Sequence, residues 1–311
     1  MSAATIEGGS AKKPRFSTKQ KLLAILAIYI LGLVAIVIAT GANGTRNNSF
    51  EPQNEFKLEN WVHLGVFSIN KAVMYLVIAA TLTCVSMIYI ARRMQQRPNR
   101  VQTAVETIYQ LMRENIVAGN MDEKMARRWF PFIGTLFLFI LFSNLIGYIP
   151  LPTNTEHKID VLGVHLPAFS LYAATANLSI PLALALVVFI AYTTEGIRAK
   201  GPIGYLKSLV PAGVTGGMAV FIFGLEILSN LMRLMSLSIR LFANILAGHL
   251  IILFMAGALA VLLGIAALGW FTLPFGILLF AFEVGLVAAL QAFIFATLTA
   301  IYLGGAVADH H

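Results

Sequence analysis

Charge is what this sequence has least of. Only 12% of its 311 residues are charged, about half the share in an ordinary soluble domain, while 58% are hydrophobic. Those two figures exclude a soluble enzyme and point to one polytopic membrane domain. Cysteine is almost missing. The single Cys84 lies in an apolar run, which rules out a disulfide framework within one chain, and no Cys/His metal spacing occurs. No glycine-rich nucleotide-binding loop is present either, and nothing calls for a cofactor or metal. The net charge of +8 is not a nucleic-acid footprint, because the Lys and Arg residues sit in loops, where they set membrane orientation. Proline and polar turns are absent from 218–264, a run of 47 apolar-dominated residues.

What is present reads as an all-α membrane protein: four spans, one amphipathic surface helix and a long C-terminal helical hairpin. Residues 1–20 form a basic, disordered tail with Lys12, Lys13, Arg15 and Lys19, placed on the cytoplasmic side. Residues 21–41 make a first spanning helix, too long in its apolar core for a cleavable signal peptide. A polar loop follows over 41–66, then a second span over 70–90 that ends at Arg92 and Arg93. Over 101–117 apolar residues recur at helical spacing, the pattern of a helix lying on the membrane surface or docked on a partner. A charged turn is expected over 122–128, a third span over 130–149, an outer loop over 151–172 and a fourth span over 175–194. His157 and His165 in that loop read as solvated. Arg198, Lys200 and Lys207 mark the inside again, so one topology, N-terminus inside, satisfies every loop.

As one helix, 218–264 would be about 70 Å long against a hydrocarbon core of ~30 Å. It would have to lie far over, supported by protein. A break is expected at Gly269–Pro274, followed by a second long helix to Tyr302. The first of these helices carries Glu226, Asn230, Arg233, Arg240 and Asn244. At ~100° per residue they share one stripe roughly 80° wide. A charge at the centre of a membrane helix costs roughly 2.5–3.5 kcal/mol, so such a seam faces protein or water. Glu226 and Arg233 are close enough in sequence to neutralise each other. Arg240 has no acid within a turn, and its partner must come from another helix or another protein.

The run Ser238–Leu250, with Arg240, Leu241, Phe242, Ala243 and Asn244 at its centre, resembles the signature of subunit a of the F-type ATP synthase. Gln291–Tyr302, Phe132–Pro150 and Thr175–Asn177 resemble the same family, and the likeness covers roughly 60–305. The first span is an addition to it, leaving 42–311 as the family's membrane domain. The resemblance implies a proton-translocating stator in an energy-coupling membrane, most readily the bacterial plasma membrane. Its hairpin, 217–305, would pack against a ring of c subunits whose carboxylates this chain lacks. The partners implied are that ring, the peripheral-stalk b subunits and the rest of the synthase, which holds the ATP chemistry.

Arg240 matches the family's essential arginine, separating two offset half-channels. Glu226 matches an acid assigned to the cytoplasmic half-channel, with Asn230 beside it and Ser236 at a polar position one turn before the arginine. Asn244, His249, Glu283 and Gln291 are assigned to the outer half-channel, with Asn144 and Asn177 replacing an acid that some relatives carry at Gly147. Gln291 is expected to hydrogen-bond near Arg240. Glu283 departs from the pattern: it stands eight residues before Gln291, where relatives carry a polar group seven before. That shift turns it about 100° around the helix, and only a local bulge would restore it. His249 lies about 140° from Glu226 on the wheel, off the seam, and serves either a separate channel or a backbone group. Two other classes compete. A proton-coupled secondary transporter would show internal repeats and broken midplane helices, and neither is evident. A passive scaffold would gain nothing from an unpaired Arg240.

Overall fold

The computed structural model describes residues 18–40, 58, 60–64, 67–96, 98–161, 164–211 and 213–308. The tail expected to be disordered falls outside that set, apart from Thr18–Gln20, which open the first helix. By contacts the chain divides into two units. The smaller comprises the N-terminal 50 residues and 254–275; the larger comprises 51–253 and 276–311.

Among the described residues, six helical stretches are long and apolar enough to cross a membrane, as expected for an all-α polytopic protein. In the larger unit α2 (Lys71–Arg93) starts where the Asn70 side chain accepts from the Val73 amide at 3.1 Å, and it ends in Arg92 and Arg93. Its N-cap holds one of the four amides that a helix start leaves unpaired. α3 (Arg100–Leu111) is the amphipathic helix, capped in the same way by Asn99. It runs on as a π-helical turn, Met112–Val117, that buries Met112, Ile116 and Val117.

α4 (Glu123–Ile146) absorbs the segment expected to be a charged turn. The Glu123–Arg127 pair at 2.6 Å is an i,i+4 contact on a helix face, and an acid in the first turn suits the positive end of the helix dipole. α5 (Ser179–Lys200) and the short α6 (Pro202–Ser208) precede the longest helix, α7 (Gly217–Leu253). Thirty-seven residues make about 55 Å of helix, still too long to stand upright in ~30 Å of hydrocarbon.

The apolar run does break, but at glycines within it. After α7 comes a π-helical turn, Phe254–Ala258, in which Gly257 has φ 146°. Then α8 (Leu259–Leu263) ends at Gly264, with φ 74°. Only residues without a Cβ take such angles cheaply, so two glycines make the reversal without any polar turn. The break expected at Gly269–Pro274 lies instead inside α9 (Ala266–Phe282). A second π-helical turn, Glu283–Val287, leads into α10 (Ala288–Val307).

Two antiparallel hairpins stand at the expected loops: β1 (Asn60–Leu64) with β2 (Phe67–Asn70), which runs from the loop expected over 41–66 to the start of α2, and β3 (Leu151–Val161) with β4 (Val164–Ser170) inside the loop expected over 151–172. Pairing satisfies backbone groups that a loop would leave to water. His157 and His165 belong to β3 and β4; their side chains lie outside the described set.

One core joins α4, α5, α7 and α10. Ile133, Phe137 and Ile140 of α4 meet Ala185 and Val188 of α5, Leu237, Leu241 and Ile245 of α7, and Phe295 and Leu303 of α10. α10 enters this core through small residues four apart: Ala288, Ala292, Ala296 and Ala300, all fully buried. At the next step, Gly304, a Cβ would strike the Asn120 carbonyl. Between membrane helices, where lipid is as apolar as leucine, close backbone approach of this kind supplies the association energy.

Candidate functional site

α7 has two unlike faces. Leu237, Ser238, Leu241, Ile245, Gly248, His249 and Ile252 are buried. Arg233, Ser236, Arg240 and Asn244 are exposed. Arg240 makes no ion pair or hydrogen bond among the described residues. It stands on an outward face otherwise made of Ile239, Ala243 and Ala247. A polar group lies to either side of it along α7: Glu226 about 21 Å toward the cationic loops, and His249 about 13 Å the other way.

The group beyond Arg240 is closed. Tyr148, just past the end of α4, stacks on the His249 ring with centroids 4.6 Å apart, and its hydroxyl donates to Glu283 Oε2 at 3.1 Å. Tyr148 is itself buried, at 4% exposure. His249 is 3% exposed, with Nδ1 3.0 Å from the Ile245 carbonyl and Nε2 3.2 Å from the Gly147 carbonyl. A neutral imidazole has one N–H for those two acceptors, so its proton can rest on either nitrogen.

Two glycines make room for this arrangement. A Cβ on Gly248 would overlap the Glu283 carboxyl group, and a Cβ on Gly147 would overlap Ala173. A side chain at position 147 therefore has no space here. The π-helical turn at Glu283–Val287 supplies the bulge that the spacing to Gln291 required, since one extra residue in a turn rotates what precedes it by about 100°. With that rotation Glu283 meets Tyr148 and Gly248.

The group on the other side of Arg240 is open. Glu226, Asn230 and Arg233 line a cavity of about 340 Å³ together with Tyr192, Tyr205 and Tyr302. Tyr192 donates to Asn230 Oδ1 at 3.2 Å, and Asn230 Nδ2 donates to the Glu226 carbonyl at 3.0 Å. The Arg233 guanidinium lies 5.7 Å from the centre of the Tyr302 ring. The Glu226–Arg233 ion pair that the sequence allowed is not formed; the cation rests on an aromatic face instead. Lys200 also borders the cavity.

The other expected residues are scattered. Asn144 is fully buried, donating to the Ala288 carbonyl at 3.2 Å and accepting from the Thr175 hydroxyl at 2.7 Å. Asn177 accepts from the Ser179 amide at the start of α5. Gln291 is buried on α10, and the hydrogen bond expected between it and Arg240 is not made among the described residues.

Sequence reasoning missed Tyr148, Tyr192 and Tyr302, because an aromatic at helical spacing looks like ordinary core. It also missed Glu195, which is 8% exposed and bridges Arg128 at 3.0 Å. The available signal was an acid in the last turns of an apolar helix with Arg198 three residues on, at 3.8 Å in the fold; the closer partner, Arg128, is 67 residues away.

Comparison with known proteins places these features. The family model described as ATP synthase A chain matches residues 73–304. The ATP synthase subunit a of Rubrobacter xylanophilus is 34% identical, over 79% of this chain and 88% of its own length. Those of Parvibaculum lavamentivorans and Bradyrhizobium diazoefficiens are 32% and 33% identical, over 88% and 84% of this chain and 100% and 99% of their own. Like these bacterial relatives, the chain is a multi-pass protein of the plasma membrane. A match across its four-helix core, both glycine reversals and the arginine-bearing α7 means that this chain belongs to the ATP synthase subunit a family.

Proposed function

We propose that the chain carries protons to and from the carboxylates of a c-subunit ring by two offset half-channels kept apart by Arg240. The single observation that carries this reading is the position of Arg240: outward-facing, unpaired among the described residues, between a closed carboxylate–imidazole cluster and an open polar cavity. A cation held in lipid seeks an anion, and the exposed face of α7 offers it to a neighbouring chain. A carboxyl group brought within ~4–6 Å of that guanidinium has its pKa lowered by about 1–3 units, so it gives up its proton there. A free proton is repelled at the same point and must ride the ring, which turns it.

In this reading Glu283, His249 and Tyr148 form the outer path, with Asn244 and Gln291 between them and the arginine. Glu226, Asn230 and the tyrosine-lined cavity form the cytoplasmic path, with Ser236 beside Arg240. Asn144 and Asn177 serve as clamps, since their amides are engaged by protein. The exposed faces elsewhere are left for the peripheral-stalk b subunits and lipid.

The test is Arg240→Ala in the assembled complex. Because Arg240 holds nothing in the fold, native gels should show normal assembly with the ring, while proton-driven ATP synthesis in vesicles is abolished. Synthesis at the wild-type rate would refute the assignment.

A further inference from the structure

The first helix, α1 (Thr18–Thr40), lies outside the residues matched by the family model, 73–304. In the smaller unit it meets α9, and the chemistry of that contact is specific. Pro274 sits inside α9. Proline has no N–H, so the carbonyl four residues before it, that of Trp270, loses its helical donor. In hydrocarbon no water replaces that donor, and such prolines persist only where a neighbour re-satisfies the freed group. The Tyr29 hydroxyl of α1 lies 2.5 Å from the Trp270 carbonyl oxygen and 2.8 Å from that of Phe271.

The contact is reciprocal. The Trp270 indole Nε1 donates to the Tyr29 carbonyl at 2.9 Å, and the two rings stack with centroids 5.8 Å apart at 19°. Gly32, one turn on from Tyr29, leaves the space for the indole: a Cβ there would come within 2.9 Å of Trp270 Cζ2. Elsewhere α1 exposes large apolar side chains such as Leu23, Ile28, Leu31 and Ile38, suited to lipid. Against that apolar surface the Tyr29–Trp270 clasp is a polar, directional contact.

We infer that α1 is an intramolecular partner of α9, and that Tyr29 is a positioning residue whose hydroxyl supplies the hydrogen bond Pro274 removes. α9 runs without interruption to Phe282, the residue before Glu283. A loose carbonyl at its middle would weaken the helix that ends at that carboxylate.

The proposal makes an unusual demand: the need for Tyr29 should vanish when Pro274 is replaced. In the full chain, within the assembled synthase, Tyr29→Phe keeps the ring stack and removes only the hydroxyl. It should shorten the half-life of ATP-driven proton pumping at elevated temperature by about 3- to 10-fold, the range expected for one interhelical hydrogen bond in a membrane. Pro274→Ala restores an N–H to α9, and adding Tyr29→Phe to it should cost nothing further. Equal losses in both backgrounds, or no loss in either, would overturn the inference. Amide exchange on the same complexes gives a second readout should Pro274→Ala fail to assemble. Tyr29→Phe alone should speed exchange around 270–278 while leaving α2 unchanged; unchanged exchange at 270–278 overturns the inference equally.

Discussion

The two polar groups along α7 are built from similar residues and differ in how they are closed. Toward the C-terminal end of α7, Tyr148, His249 and Glu283 use up one another and the nearby carbonyls, and Gly248 leaves the space that the Glu283 carboxyl group fills. Toward its N-terminal end, Glu226 keeps its carboxylate free of protein donors among the described residues and shares a cavity of about 340 Å³ with three tyrosines and Arg233. In the closed group a lost partner leaves a buried polar atom unsatisfied, which is expensive. In the open one water can replace a missing group at little cost. Under the function proposed above, that difference means fixed side chains guide the proton on one side of Arg240 and solvent guides it on the other.

That contrast can be broken by substitution. Gly248→Leu pushes a side chain into the seat of the Glu283 carboxylate and should cut proton-driven ATP synthesis by about 10- to 100-fold, as misplacing a reacting group does. A rate near wild type would mean the carboxylate is free to move and the closed description is wrong. Tyr148→Phe removes the donor to Glu283 at the cost of one hydroxyl. Since a typical hydrogen bond contributes a net ~0.5–1.5 kcal/mol, turnover measured in vesicles should fall by up to about tenfold.

At the open end Glu226→Gln should slow turnover only about two- to fivefold, with water bridging the gap. Turnover indistinguishable from wild type would return Glu226 to a structural role, and complete loss would erase the contrast between the two ends. The smallest effect on transport is expected from Asn144→Ala. Its rate per assembled complex should stay close to wild type while the subunit loses ~1–3 kcal/mol of stability, read as earlier release of the subunit on heating. A lowered rate at full stability would place Asn144 in the path after all.

Much of this was legible before any coordinates. Arg240 stood out because a permanent cation in an apolar helix has few bland explanations. The bulge at Glu283 could be anticipated from a one-residue misfit in spacing to Gln291. Other features left no trace in the pattern. The turn in the long apolar run was sought in polar residues and proline, yet Gly257 and Gly264 made it, since in lipid a reversal needs backbone freedom more than polarity. The first turns of α4 looked like a loop because they are charged, although Glu123 and Arg127 are spaced to pair on a helix. The tyrosines at both polar groups looked like core until their hydroxyls were seen to find partners.

The amino-acid order alone determined that this chain crosses a membrane several times, where Lys and Arg collect between the spans, and which helix bears an arginine without a partner among the described residues. These follow from hydropathy, from lysine and arginine counts and from a 3.6-residue period, all local quantities. Only the folded chain decided that Glu283 meets Tyr148 and Gly248, that Glu226 opens on a cavity, that Glu195 is neutralised by Arg128, and that a tyrosine of α1 answers a proline of α9. Each of those joins residues far apart in sequence, and no local pattern encodes them, because the low-dielectric interior, rather than the neighbouring residue, sets what a buried polar group must find.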